Sequence, residues 1–166
     1  YGATLYKRTN SVVKEFGFIY DSDLPLLQKS MATDETRSQS ALMHNKFFVI
    51  DRKYVWTGST NITNYCMTLN ANNAVVILSE DLAKAYSKEF EQMFLKNNFH
   101  ISKIKTEQNS FVIDNSDVKL YFSPMDNAVD SGIIPLIRSA KKSIHVTMFY
   151  LTNSDIIEEL ISAKKR

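Results

Sequence analysis

An α/β fold, a layered β-sheet flanked by helices, follows from three features of this sequence. Short runs rich in β-branched and aromatic residues recur at 47–50, 54–57, 74–78 and 144–150, each too brief for a helix. Apolar residues at helical spacing separate or follow them: Leu82, Tyr86, Phe90, Met93 and Phe94, then Ile133, Ile134, Leu136 and Ile137. The second half of the chain orders these as strand, helix, strand, helix, the succession of a layered α/β domain. With 166 residues, 44% of them hydrophobic, there is material for one such domain, or for one and a small part.

Taken in order, residues 1–14 have weak periodicity, and Phe18, Ile19 and Tyr20 predict a short strand. Residues 21–39 turn to Ser, Thr, Asp and Gln around Leu24, Pro25, Leu26 and Leu27, a loop long enough to border a substrate. Phe47 to Ile50 is expected as a buried strand, with a turn at Arg52 and Lys53 and a second strand over 54–57. Residues 62–73 are polar and rich in asparagine; residues 74–78 predict another buried strand. Ser79 is the expected N-cap of the next helix, with Glu80 and Asp81 in its first turn and an end near Lys96. A polar connector around Phe111, Val112 and Ile113 spans 99–117, with a boundary near Lys105. Beyond it the pattern predicts a strand at 118–122, a helix at 130–139 and a central strand at 144–150. A last helix, capped by Asn153, Ser154 and Asp155, carries Ile156, Ile157, Leu160 and Ile161.

Charge and cysteine content narrow the chemistry. A formal net charge of +2 implies no polyanionic partner by itself, and the basic clusters at 7–8, 141–142 and 164–166 read as solvated surface. Cys66 is the single cysteine, so no internal disulfide can form, and it reads as a buried structural thiol. No Cys or His pairs stand at zinc-ligand spacing, and no metal or other cofactor is expected. No apolar run approaches the length that crosses a bilayer. The chain opens at Tyr1 without an initiator methionine and reads as an excised piece, which leaves its compartment open.

The stretch from His44 to Asn61 carries the chemistry. Residues two apart on a strand share a face, so His44 and Lys46 point the same way. An imidazole and an ammonium converging on one spot make a poor core but suit an anionic substrate. Gly58 permits a tight bend, and Ser59 and Asn61 add hydroxyl and amide groups able to bond phosphate oxygens. Asp51 stands five residues beyond Lys46, about 16 Å away on an extended strand. That separation gives it a positioning or turn-forming part.

His44, Lys46 and Asp51, in the order H-x-K-x4-D, followed by Gly58, Ser59 and Asn61 as G-S-x-N, resemble the signature of the phospholipase D superfamily. The resemblance implies metal-independent phosphodiester chemistry on a nucleic acid or a phospholipid, with His44, Lys46 and Asp51 as the catalytic set and Asp51 in a positioning part. Lys46, Ser59 and Asn61 would bind the phosphate. It further implies a phosphohistidine intermediate and a second such motif across a pseudo-twofold axis, from another repeat or a homodimer partner. Residues 1–105 look like the closing part of one repeat, and residues 106–166 like the opening part of a second, truncated one. One position departs from the pattern. Where many members have a glutamate that orients the imidazole, Asn72 stands here, and an amide cannot stabilise an imidazolium by charge. The same resemblance therefore also fits a catalytically degenerate module that binds phosphate or serves as a dimerisation scaffold.

Overall fold

Two antiparallel strands built on the apolar runs open the described part of the chain, β1 (Phe47–Ile50) and β2 (Tyr54–Gly58). The computed structural model describes residues 43–96 and 98–166; the strand expected at 18–20 and the loop at 21–39 lie outside them. The described residues combine helices with two small antiparallel sheets. The chain divides into two units, Tyr1–Ile104 and Lys105–Arg166.

In the first unit, β1 and β2 are joined by a hairpin in which Asp51 and Arg52 adopt φ of 52° and 55°. Aspartate tolerates that left-handed conformation better than most residues, and the Lys53 amide closes the turn onto the Ile50 carbonyl at 3.0 Å. A short helix α1 (Asn64–Thr68) follows, capped by the Thr63 hydroxyl, which accepts from the Cys66 amide. The chain then returns as β3 (Ala74–Leu78), which pairs with β2 to complete a sheet of order β1-β2-β3. Ser79 caps α2 (Glu80–Phe94) by accepting from the Leu82 amide at 3.2 Å, with Glu80 and Asp81 in the first turn, as the sequence predicts.

Helix α2 packs on β1 and β2. Val55, Leu82, Ala83 and Tyr86 are buried there, and the Phe47 and Tyr86 rings meet edge to face at 4.9 Å. The buried face of α2 is not quite the one expected. Phe90 is exposed and stacks on Phe94, whereas Glu89 and Gln92 are buried. Nor are the strands buried on both sides. Phe48, Trp56 and Val76 stand in one cross-strand row, and Ile50, Tyr54 and Leu78 in the next; apart from the half-buried Trp56, all are exposed. Runs apolar at every position yield strands apolar on both faces, and among the described residues a helix covers one of them.

The second unit begins differently from its pattern. Residues 110–119 form a hairpin of β4 (Ser110–Ile113) and β5 (Ser116–Lys119), where a connector and a later strand at 118–122 were expected. Asp114 and Asn115 between them have φ of 47° and 65°, the conformation of a two-residue type I′ loop, whose twist suits a tight hairpin. Asp126, 3% exposed, ties the following segment together by accepting from the Thr106 and Phe122 amides. A π-helical turn (Val129–Ile133) runs into α3 (Ile134–Ser139), where Ile134 and Ile137 are buried but Leu136 is exposed and Ile133 largely so.

Residues 144–150 pair with no strand among the described residues, and Phe149 is 91% exposed, so the expected central strand is not formed there. A strand exists only by its ladder partner, which no local pattern supplies. The last helix, α4 (Ser154–Lys165), starts as expected from the Asn153 side chain, which accepts from the Ile156 amide at 2.9 Å. Among the described residues no helix is long and apolar enough to cross a membrane.

One glycine carries the bend beyond β2. A Cβ on Gly58 would stand 2.2 Å from the Asn73 carbonyl oxygen and 2.7 Å from the Ala74 Cα, both backbone atoms held in the β2–β3 ladder. Gly58→Ala is expected to lower stability by about 1–3 kcal/mol, read as a lower urea midpoint. An unchanged midpoint would mean that the β2–β3 bend gives way freely.

Candidate active site

His44 and Lys46 lead directly into β1 and share one side of it. Lys46 Nζ lies 3.0 Å from His44 Nε2 and donates to the His44 carbonyl oxygen, also at 3.0 Å. An ammonium has hydrogens to give and no lone pair, so Nε2 must be the acceptor. This arrangement corresponds to the neutral ring with its proton on Nδ1 and the Nε2 lone pair toward the ammonium. From β2, the Thr57 hydroxyl donates to the Lys46 carbonyl at 3.1 Å and pins this backbone to the sheet.

Desolvation, then the neighbouring Lys46 charge, pushes the His44 imidazole below the ordinary histidine value. Desolvation also lowers the Lys46 ammonium, an effect that Cys66 opposes when its thiol is ionised. For His44 the folded protein holds fewer protons than the unfolded chain in mild acid. Its contribution to stability is complete above the ordinary value near 6.5 and is lost as pH falls through that value toward the depressed one.

The bend after β2 forms a second cluster at the same end of the sheet. Phe47 pairs with Thr57, so the register carried outward sets Lys46 opposite Gly58 and Asn45 opposite Ser59. The Ser59 hydroxyl donates to Asn72 Oδ1 at 3.1 Å and accepts from the Asn73 amide at 3.0 Å. Asn72 Nδ2 donates in turn to the Cys66 carbonyl at 3.1 Å. Two other amides, Asn61 Nδ2 at 3.6 Å and Asn70 Nδ2 at 3.4 Å, donate to the Cys66 sulfur. Cys66 is thus half-buried and hydrogen-bonded rather than sealed in the core, as its sequence suggested. Hydrogen bonds from Thr63 and Asn61 hold its thiol below the ordinary value.

The site residues read from the sequence therefore fall into three places. His44 and Lys46 are in contact. Ser59, Asn61 and Asn72 form one hydrogen-bonded bend with Cys66. Asp51 sits in the exposed turn at the far end of β1. Among the described residues no group of three or more His, Cys, Asp or Glu is arranged to hold a metal ion.

An imidazole beside an ammonium, next to a bend rich in hydroxyl and amide groups, is chemistry that suits an oxyanion. The family comparison agrees: residues 15–94 match the family described as cardiolipin synthase, phospholipase D-like domain. With the relatives that follow, this match supports the phospholipase D superfamily. It is 37% identical over 70 residues to a mitochondrial cardiolipin hydrolase of Xenopus laevis, covering 42% of this chain and 33% of that protein. It is 35% identical over 65 residues to a phospholipase D of Rickettsia conorii, covering 39% of this chain and 32% of that protein. A mitochondrial cardiolipin hydrolase of Canis lupus familiaris is 29% identical over 77 residues, 46% of this chain and 30% of that one. The chain thus spans about a third of the length of these curated relatives. No solved structure matches it significantly.

Residues that sequence reasoning passed over also hold the site. Thr57, Cys66 and Asn70 make the contacts above, and Asn45 donates to the buried Glu89 at 3.2 Å. Glu89 was discernible, because it follows Leu82 and Tyr86 by seven and three residues and so shares their face of α2.

An NMR titration of His44 is expected to give a midpoint below that of an exposed histidine, and Lys46→Met should move it part of the way back up. A midpoint unmoved by Lys46→Met would show that the two side chains do not share the site in solution.

Proposed function

We propose that this chain supplies one half of a phosphodiesterase active site, in which His44 attacks phosphorus without help from a metal ion. The observation that carries the reading is the 3.0 Å contact of His44 Nε2 with Lys46 Nζ, which pairs an available lone pair with a positive charge. As the phosphate arrives, its oxygens take over the ammonium's hydrogen bonds and free the imidazole lone pair. A bond then forms from Nε2 to phosphorus as the bond to the leaving alkoxide breaks. A proton for that alkoxide comes from the histidine of a second half-site, supplied by another repeat or a second copy of the chain. Water, giving its proton back to that same group, then cleaves the phosphorus–nitrogen bond. Lys46, Ser59 and Asn61 offset the charge that gathers on the phosphate oxygens. Asn72 orients the donors through Ser59 and stands where the family's imidazole-orienting carboxylate would be. Asp51 acts from the turn, setting the end of β1.

The substrate class we favour is a glycerophospholipid phosphodiester, supported by similarity to a phospholipase D and to cardiolipin hydrolases. Nucleic acid is the alternative, and the net charge of +2 does little to support it. Asn72, lacking a carboxylate's charge, favours one second reading: a degenerate half-site that binds phosphate or serves as a dimerisation scaffold without turnover.

Incubating the intact protein with bis(p-nitrophenyl) phosphate in EDTA separates the two. Turnover is expected, and His44→Ala should reduce it by roughly 10⁴-fold or more, the scale seen when the reactive member of a catalytic set is removed. Phosphate binding with no turnover in the wild-type protein would favour the scaffold instead. Cardiolipin-containing vesicles and single-stranded DNA, offered to the same preparation, distinguish the substrate classes.

A further inference from the structure

Asn45 stands between the imidazole and the ammonium in sequence, yet its side chain turns away from both, toward α2. Its Nδ2 donates to Glu89 Oε1 at 3.2 Å. Glu89 is 2% exposed, on the helix that packs against β1 and β2. A carboxylate there is costly unless its oxygens are answered. Lys103 Nζ donates to the same Oε1 at 2.6 Å, and Gln92 Nε2 donates to Oε2 at 2.6 Å. Gln92 is itself fixed, its Oε1 accepting from the Ile104 amide at 2.7 Å. The Lys103 ammonium is also buried, 5% exposed in its side chain. An apolar pair of similar size would fill this space with no ions to desolvate. What the ionic version adds is an acceptor aimed at the segment that carries His44 and Lys46.

We propose that Glu89, paired with Lys103 and steadied by Gln92, is a positioning residue for the catalytic pair. Alternate residues of an extended segment face opposite sides, so gripping Asn45 from the core side turns His44 and Lys46 together toward the substrate side. The strap runs from a packed helix, a rigid support of the kind that keeps reacting groups in register. The inference rests on the phosphodiesterase reading of this site.

The test uses the intact protein, with bis(p-nitrophenyl) phosphate as the probe and three changes. Asn45→Ala removes the strap and leaves the buried ion pair whole. The double variant Glu89→Leu with Lys103→Met removes the acceptor and strands no buried charge. Glu89→Gln with Lys103→Met keeps a carbonyl oxygen for Asn45. The first two are each expected to lower kcat about 10–100-fold, the scale for groups that orient others, with KM and melting temperature little changed. Combining them should cost nothing further, and the glutamine pair should restore most of the rate. An undiminished kcat in Asn45→Ala, or losses that multiply when combined, would overturn the proposal. Amide hydrogen exchange over residues 44–47 provides a readout independent of turnover. Exchange that quickens there in Asn45→Ala, with α2 unchanged, supports the strap even if the ester is not hydrolysed, and only the phosphodiesterase reading would then fail. Unchanged exchange would defeat the strap itself.

Discussion

The contact between His44 Nε2 and Lys46 Nζ is the interaction on which the account of this site depends. At 3.0 Å it is a hydrogen bond when Nε2 is unprotonated, because two protonated nitrogens would repel rather than bond. Desolvation, and then that same closeness, hold the imidazole below its ordinary value. The pair sets an imidazole nitrogen and a cationic side chain side by side. Neither group would need to travel far, which is the sense in which the site is organised before a substrate arrives.

Much of the surrounding fold can be understood as the means of holding that pair. The β1–β2 hairpin brings the bend at Gly58, Ser59 and Asn61 back to the end of the sheet from which His44 and Lys46 project. Thr57 fixes the Lys46 backbone from the neighbouring strand, and α2 fixes Asn45 from below through Glu89. Asparagines at 61, 70 and 72 gather around the α1 turn and tie the bend to Cys66. The bend is therefore a hydrogen-bonded unit, and its donors are directed by neighbours rather than left to solvent.

The parts of this arrangement legible in the sequence were those governed by local periodicity. Alternation along a strand sufficed to put His44 and Lys46 on one side, and Ser79 and Asn153 announced their helices through the cap hydrogen bond. The parts that were not legible depend on partners remote in the chain. Whether residues 144–150 become a strand is decided by a pairing edge, and no residue within them encodes one. The β4–β5 hairpin was hidden because Asp114 and Asn115 make a loop of two residues inside what reads as a polar connector. Glu89 sits at a helical position matching Leu82 and Tyr86, but its acceptor role emerges only when Lys103 and Asn45 converge on it. Cys66 departs from expectation for a related reason: burial of a lone thiol is the default, and here the amides of Asn61 and Asn70 bond the sulfur of a half-buried residue.

The most direct measurement is a crystal structure of the intact protein soaked with tungstate, an oxyanion that mimics the pentacoordinate phosphate. The expected result is tungstate with its metal centre facing His44 Nε2 and its oxygens at hydrogen-bond distance, about 3 Å, from Lys46 Nζ, next to the Ser59 bend. Tungstate bound elsewhere, or an imidazole and an ammonium pointing to opposite sides of β1, would contradict it.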